Sequence, residues 1–309
     1  MSPDQKSLTE APQDLKEAID WVLRVTAGDL GPVINTSNLI ISLGGIQSET
    51  SHSHEFLNNV LNKIISGRGS YATGPLTAVA TGLQKIIGYE YVNGDQRGKG
   101  TWKISDSGIL KSGVISANGL PTASAPNGIY TSAYSGSQWA EVLSTVENAN
   151  RITIQNFFTS IQLIFEGLTE LYVKCKTEWY SQSLGANSEL KQFMEKNGFS
   201  GTQLNASMTG NQIISQAFKD LKEFDTAYGV AGKNPSLDAF RSELEQSAWS
   251  NPYEYPLSAL YILATYAYVR STSPASPSFA GYSGPAALAG GAYGLNLGGL
   301  GSLMSALLA

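Results

Sequence analysis

His52, His54 and Glu55 in "SHSHE" are the residues nearest to a metal-binding pattern in this chain. Two histidines two apart could share a cation if the segment were extended, but no third ligand stands at a zinc-type spacing. The segment therefore reads as a solvated polar loop. The lone Cys175 has no histidine near it in sequence, and its helical setting predicts a buried free thiol, not a nucleophile. "GRGSYATG" and "NGDQRGKGT" are glycine-rich, but neither ends in the Gly-Lys-Ser/Thr that reaches a phosphate. Glu243 and Glu245 fall on opposite faces of a predicted helix and read as solvated. Asn35 ("NTS") and Asn205 ("NAS") sit in glycosylation sequons that a polar chain produces by chance. No acid–base pair, paired nucleophile or cofactor fingerprint emerges. The expectation is a protein that is not an enzyme and needs neither cofactor nor metal.

With little chemistry legible, the elements carry the information. The chain has 309 residues, 42% hydrophobic and only 15% charged, with a net charge of -5. That supplies a large core, and the absence of any basic run argues against a nucleic-acid partner. A single cysteine cannot form an internal disulfide, so the fold must stand on its packing. The polar start "MSPDQKSLTEAPQ" lacks the apolar run of a standard signal peptide.

"DLKEAIDWVLRVTAGD", from Asp14, has both ends signalled. Leu15, Ala18, Ile19, Val22 and Leu23 line one face; Lys16, Glu17, Asp20 and Arg24 line the other, with Trp21 at the margin. Asp14 and Glu17 have the spacing of a reciprocal capping box, and Gly28 is placed to end the helix. Further helices are predicted from Glu55 to Ser66, from Pro75 to Gly88, from Ser188 to Asn197, from Asn211 to Tyr228 and from Ser236 to Ala248. The strongest periodicity runs from Trp139 to Ser181, interrupted only by Gly167. A continuous helix there would be about 65 Å long, with a break near Asn148 or Asn150 as the alternative. "YPLSALYILATYAYVR" is too short an uncharged run for a comfortable membrane span and reads as a central core helix.

Between Tyr89 and Gly136 the periodicity collapses into Gly, Ser and Asn, which predicts an irregular insertion, with short strands at "TWKIS" and "GVIS" as options. Its aromatics Tyr91, Trp102, Tyr130 and Tyr134 are the candidate contacts for a partner, the other reading being that they pack onto the bundle. After Arg270 no charged residue occurs. Residues 271–285 read as a Pro/Ser linker. Residues 286–309 are long enough to cross a bilayer, at about 36 Å against a hydrocarbon core of about 30 Å. Gly290, Gly294 and Gly298 recur four apart, which predicts a helix that inserts and self-associates along its small face. The domain plan is thus a helical domain over 1–270, a linker, and a membrane segment. The fold class is all-α: a bundle with a long spine helix, an irregular insertion and an uncharged tail.

The opening stretch resembles "NLKEAIDWILRVTGKD", the opening of the variant erythrocyte surface antigens of Babesia parasites. "LTAVATGLQKIIGYE" followed by "TWKISDSGI" is similar to that family's "LAEGLQQFIGYD" with "GKITGAGI" after it. "YPLSALYILATYAY" and the segment from Pro277 to Ala309 are similar to its C-terminal region. The likeness is weakest between Ser181 and Ser250. It implies an antigen at the surface of infected red cells, anchored in the membrane near the C-terminus and exported without a standard signal peptide. It further implies a role in antigenic variation and adhesion, with a host-cell receptor as partner and pairing with a second copy or a related member. Larger members carry a Cys- and Lys-rich region, whereas this chain has Cys175 alone and would be a short, cysteine-poor member. The competing expectation is a helical interaction protein that is not displayed, or a copy kept as a recombination donor.

Overall fold

The computed structural model describes residues 6–26, 75–92, 101–114, 132–134, 149–185 and 187–272. In chain order these form α1 (Leu15–Thr26), α2 (Pro75–Ile87), β1 (Tyr89–Val92), β2 (Thr101–Ile104), β3 (Gly113–Val114), α3 (Ala149–Lys176) and α4 (Glu189–Lys196). Then come α5 (Gly210–Gln212), a π-turn (Ile213–Ala217), a 3₁₀ turn (Phe218–Asp220), α6 (Lys222–Ala231), α7 (Leu237–Ser250) and α8 (Pro256–Thr272). Helix dominates, as expected. The predicted helix at Glu55–Ser66, the linker from residue 273 onward and the tail lie outside the described residues, while Ser271 and Thr272, expected in the linker, end α8. Among the described residues, no helix is long and apolar enough to cross a membrane.

The spine is α3, whose 28 residues give about 42 Å at 1.5 Å per residue. It ends at Lys176, short of the expected Ser181, so Trp179 lies in the turn beyond it, and residues 139–148 of the expected helix lie outside the described residues. Phe157, Ile161, Ile164, Phe165, Leu168, Leu171, Tyr172 and Cys175 are all buried along it, as their spacing predicts. Helices α1, α7 and α8 pack against α3, and α2 closes on α1 and α8. Gly167 is the reason α1 can lie so close: a Cβ there would stand 2.9 Å from Leu15 Cδ2.

Helix α1 departs from its amphipathic reading. Ten of its residues are buried, among them Lys16 and Asp20 from the face expected in water. The preceding arm and residues 132–134 cover that face. Lys6 N–H donates to the Ala133 carbonyl at 2.8 Å, and Ala133 N–H donates to Asp20 Oδ2 at 2.8 Å. The capping box is half formed. Asp14 Oδ1 accepts from Glu17 N–H at 2.8 Å, but the Glu17 carboxylate turns to Gln13 N–H at 2.7 Å and to the Lys6 ammonium at 2.5 Å.

The single helix expected from Asn211 to Tyr228 is broken. Thr209 and Gln212 form the reciprocal box that starts α5, but the chain widens into the π-turn, tightens into the 3₁₀ turn and leaves helical geometry at Leu221, with φ −105° and ψ 63°. The apolar spacing Phe218, Leu221, Phe224 explains this. Residues three apart align on a 3₁₀ turn but drift around an α-helix. Leu221 fills the space over Gly82, where a Cβ would meet Leu221 Cδ2 at 2.4 Å.

The insertion is not wholly irregular, and the all-α class needs that correction. β1, β2 and β3 form an antiparallel sheet in that order, with Tyr89 opposite Ile104, Tyr91 opposite Trp102 and Lys103 opposite Val114. Its base is a contact between two glycines. Gly88 has φ +100°, and a Cβ on Gly108 would lie 2.4 Å from Gly88 Cα. Because backbone and not a movable side chain stands in the way, Gly108→Ala is expected to cost about 1–3 kcal/mol. A lowered urea midpoint with an unchanged slope would show it; a wild-type midpoint would contradict the contact.

Candidate functional site

The sequence-derived contact residues do not converge. Tyr91 and Trp102 are directly opposed in the β1–β2 register. Tyr130 lies outside the described residues, as do His52, His54, Glu55, Asn35, Gly290, Gly294 and Gly298. Tyr134 is a correction: only 1% exposed, it donates its hydroxyl to the Glu10 carbonyl at 3.2 Å and offers no surface to a partner. Burial drives its phenol far above the ordinary range. On the sheet, Tyr89 and Ile104 are buried, whereas the Glu90–Lys103 pair, 3.3 Å apart, faces solvent. At these two positions, next to Gly88, one side of the sheet meets the core and the other meets water.

Charged and polar groups gather instead at three places inside the helical body. The first is on α1, where Lys16 Nζ lies 2.9 Å from Asp20 Oδ2. Arg24, one turn on, is pushed down by burial against the pull of Tyr89 and Asp20. The arm is held to the same region, because Trp21 Nε1 and Asn156 Nδ2 both donate to the Leu8 carbonyl, at 3.0 and 3.1 Å.

The second is an aromatic cluster of Tyr172, Phe218, Phe224, Tyr228 and Phe240, with Tyr172 in ring contact with the other four. The Tyr172 hydroxyl donates to Asp225 Oδ1, and Lys176 Nζ lies 3.0 Å from the same oxygen. The Lys176 ammonium also stands 5.4 Å from the Tyr172 ring and 5.6 Å from the Tyr228 ring. Burial alone would raise Asp225, yet these two donors hold it below the usual carboxylate range. Such a constellation seals the cluster with one cation and one anion; it leaves no carboxylate at a pKa suited to proton transfer at neutral pH.

The third joins α3, α7 and α8. Arg241 Nη2 donates to Glu166 Oε2 at 2.8 Å, and Tyr261 Oη donates to Glu166 Oε1 at 3.3 Å while its ring stacks on Phe165 at 3.9 Å. Glu245 is not solvated as expected: it is half-buried, and burial raises it against the attraction of Arg241. Glu243, also half-buried, accepts from Ser247 Oγ at 2.9 Å. Beside this cluster Glu223, 2% exposed, reaches from α6 to the start of α8. Its Oε1 accepts from Leu257 N–H at 3.1 Å, and its Oε2 accepts from Ser258 N–H at 3.3 Å and Ser258 Oγ at 2.8 Å. Sequence reasoning missed this residue. The one signal is its place between Leu221 and Phe224 in an apolar stripe.

Cys175 is buried as expected, and burial raises its thiol far from thiolate range. Asn205 is 7% exposed and donates through Nδ2 to the Asp106 carbonyl at 3.2 Å, so its sequon is closed in the folded chain. No group of three or more His, Cys, Asp or Glu able to hold a metal occurs among the described residues. The protein so defined is a helical body carrying a small antiparallel sheet, with polar clusters that join helices. No protein-family model, no curated protein and no solved structure matches it.

Proposed function

We propose that the chain is a surface antigen of infected red cells, of the kind that undergoes variation and contacts host cells, with a steady helical core and a displayed insertion. The observation that carries this reading is the resemblance of the stretch from Asp14 to Asp29 to the opening of the Babesia antigens. Its support comes from where that stretch lies. A helix with ten buried residues is constrained by packing on nearly every side. A shared core would hold such a stretch steady while exposed loops diverge. The insertion is the candidate host-contact region, with the Tyr91–Trp102 pair and Tyr130 as the residues to probe. The tail, through Gly290, Gly294 and Gly298, is the candidate anchor and pairing face.

The test is carbonate extraction of membranes from cells expressing the full chain. Retention in the pellet is expected, together with weaker self-association of a tail reporter carrying Gly294→Ile. Release into the soluble fraction would instead favour a helical interaction protein that is not displayed.

A further inference from the structure

We infer that the arm, residues 6–13, is an exchangeable plug: its turn fills a socket built by α1, α3 and residues 132–134, and the same socket takes the arm of a second copy. The plug is shaped largely by its own bonds. Glu10 N–H donates to the Ser7 carbonyl at 2.9 Å, Ser7 N–H to Glu10 Oε1 at 2.8 Å and Thr9 N–H to Ser7 Oγ at 3.3 Å. None of these three bonds needs the helical body. The turn leaves Ser7 and Glu10 exposed and drives Leu8, 1% exposed, into the core. Pro12, also buried, fixes the backbone four residues on, so less freedom is lost on seating.

The socket reads the main chain of the arm. The Leu8 carbonyl accepts from Trp21 Nε1 at 3.0 Å and Asn156 Nδ2 at 3.1 Å. The Glu10 carbonyl accepts from Tyr134 Oη at 3.2 Å, and Lys6 N–H donates to the Ala133 carbonyl at 2.8 Å. Charge fixes the register, because the Glu17 carboxylate meets both Gln13 N–H and the Lys6 ammonium. Main-chain bonds for hold and a buried side chain for specificity are how an extended peptide is recognised. Trp21, Tyr134 and Asn156 are at most 3% exposed. When the arm leaves, their donors lose the acceptors that meet them here, at the cost of buried polar groups left unpaired. The socket therefore favours being refilled.

The occupant that repeats every one of these contacts is the same arm from another copy. Exchange changes only the path of the link between the arm and α1, which makes it a low-cost route to pairing. A short tether gives the chain's own arm an effective concentration of the order of mM, so the closed form prevails in dilute solution and exchange needs copies held close together. The inference goes beyond the proposed display and does not depend on the tail.

The first experiment uses the full chain carrying Leu8→Asp, whose own plug cannot seat, and a fluorescent capped peptide of residues 6–13. Saturable binding is expected, at least about 10-fold weaker to the wild type, whose socket is already filled. No binding to the folded variant, or equal binding to both chains, would overturn the proposal. The second experiment needs no variant. Wild-type chains labelled with ¹⁵N and ¹⁴N are mixed at about 1 mM and coupled with a carbodiimide, which joins the Lys6 ammonium to the Glu17 carboxylate. Lys6–Glu17 peptides of mixed label are expected, and same-label peptides alone would overturn the exchange. The position of the coupling reports the arm whether or not the tail pairs. If the variant does not fold, the mixed-label result decides alone.

Discussion

Asp20→Ala is expected to lower stability by about 3–5 kcal/mol, because it removes the buried carboxylate that the Lys16 ammonium meets. Lys16 is 7% exposed and Asp20 3%, and their 2.9 Å contact lies under the arm. Asp20 also accepts from Ala133 N–H at 2.8 Å, so the same substitution removes an acceptor from a backbone group 113 residues away. An exposed i,i+4 pair would be worth only about 0.3–0.5 kcal/mol, so the size of the effect separates a buried pair from a solvated one. Replacing both partners, as Lys16→Met with Asp20→Leu, should recover much of the loss, since a buried pair often exchanges for apolar groups at little cost. The part not recovered reports the other contacts of Asp20, the Ala133 hydrogen bond among them. Urea unfolding of the single and double variants measures both. A loss below about 1 kcal/mol for Asp20→Ala would place α1 with its charged face in water after all.

Trp21→Ala should cost a similar about 3–5 kcal/mol, from lost burial and an unfilled cavity. Trp21 is fully buried, and its indole N–H donates to the Leu8 carbonyl at 3.0 Å. Trp21→Phe divides the effect. It retains much of the apolar volume and removes the donor, yet the Leu8 carbonyl keeps Asn156 Nδ2 at 3.1 Å. The hydrogen-bond share of the loss is therefore expected near about 1 kcal/mol. Proteolysis of the arm supplies the complementary readout. Cleavage around Leu8 should be slow in the wild type and fast in Trp21→Ala, because the arm loses both its cover and a donor.

How much of this could be read in advance follows from what sequence patterns encode. The α3 stripe from Phe157 to Cys175 is legible because its burial repeats with the helix period. Ser188 and Ser236 are legible as helix starts, and each accepts from an amide three residues on, at 3.2 Å. Burial of Lys16 and Asp20 is not legible, because the groups that cover them lie before the helix and more than a hundred residues after it. Nor is β1, where only four residues separate Gly88 from the next glycine-rich run and no window is long enough to show alternation. The break at Leu221 needed knowledge that Gly82 stands opposite. Glu223 is the same lesson on a smaller scale: a carboxylate inside an apolar stripe reads as a boundary residue until its acceptor role at Ser258 is known. Tyr134 reads as a loop aromatic, and its burial depends on the arm folding back beside it.

The central claim, a displayed antigen with a steady core, is tested most directly by labelling intact infected red cells with a membrane-impermeant biotin reagent. The account predicts that the full chain is labelled on intact cells and that antibodies to the insertion stain them without permeabilisation. Labelling and staining that require permeabilisation would contradict it.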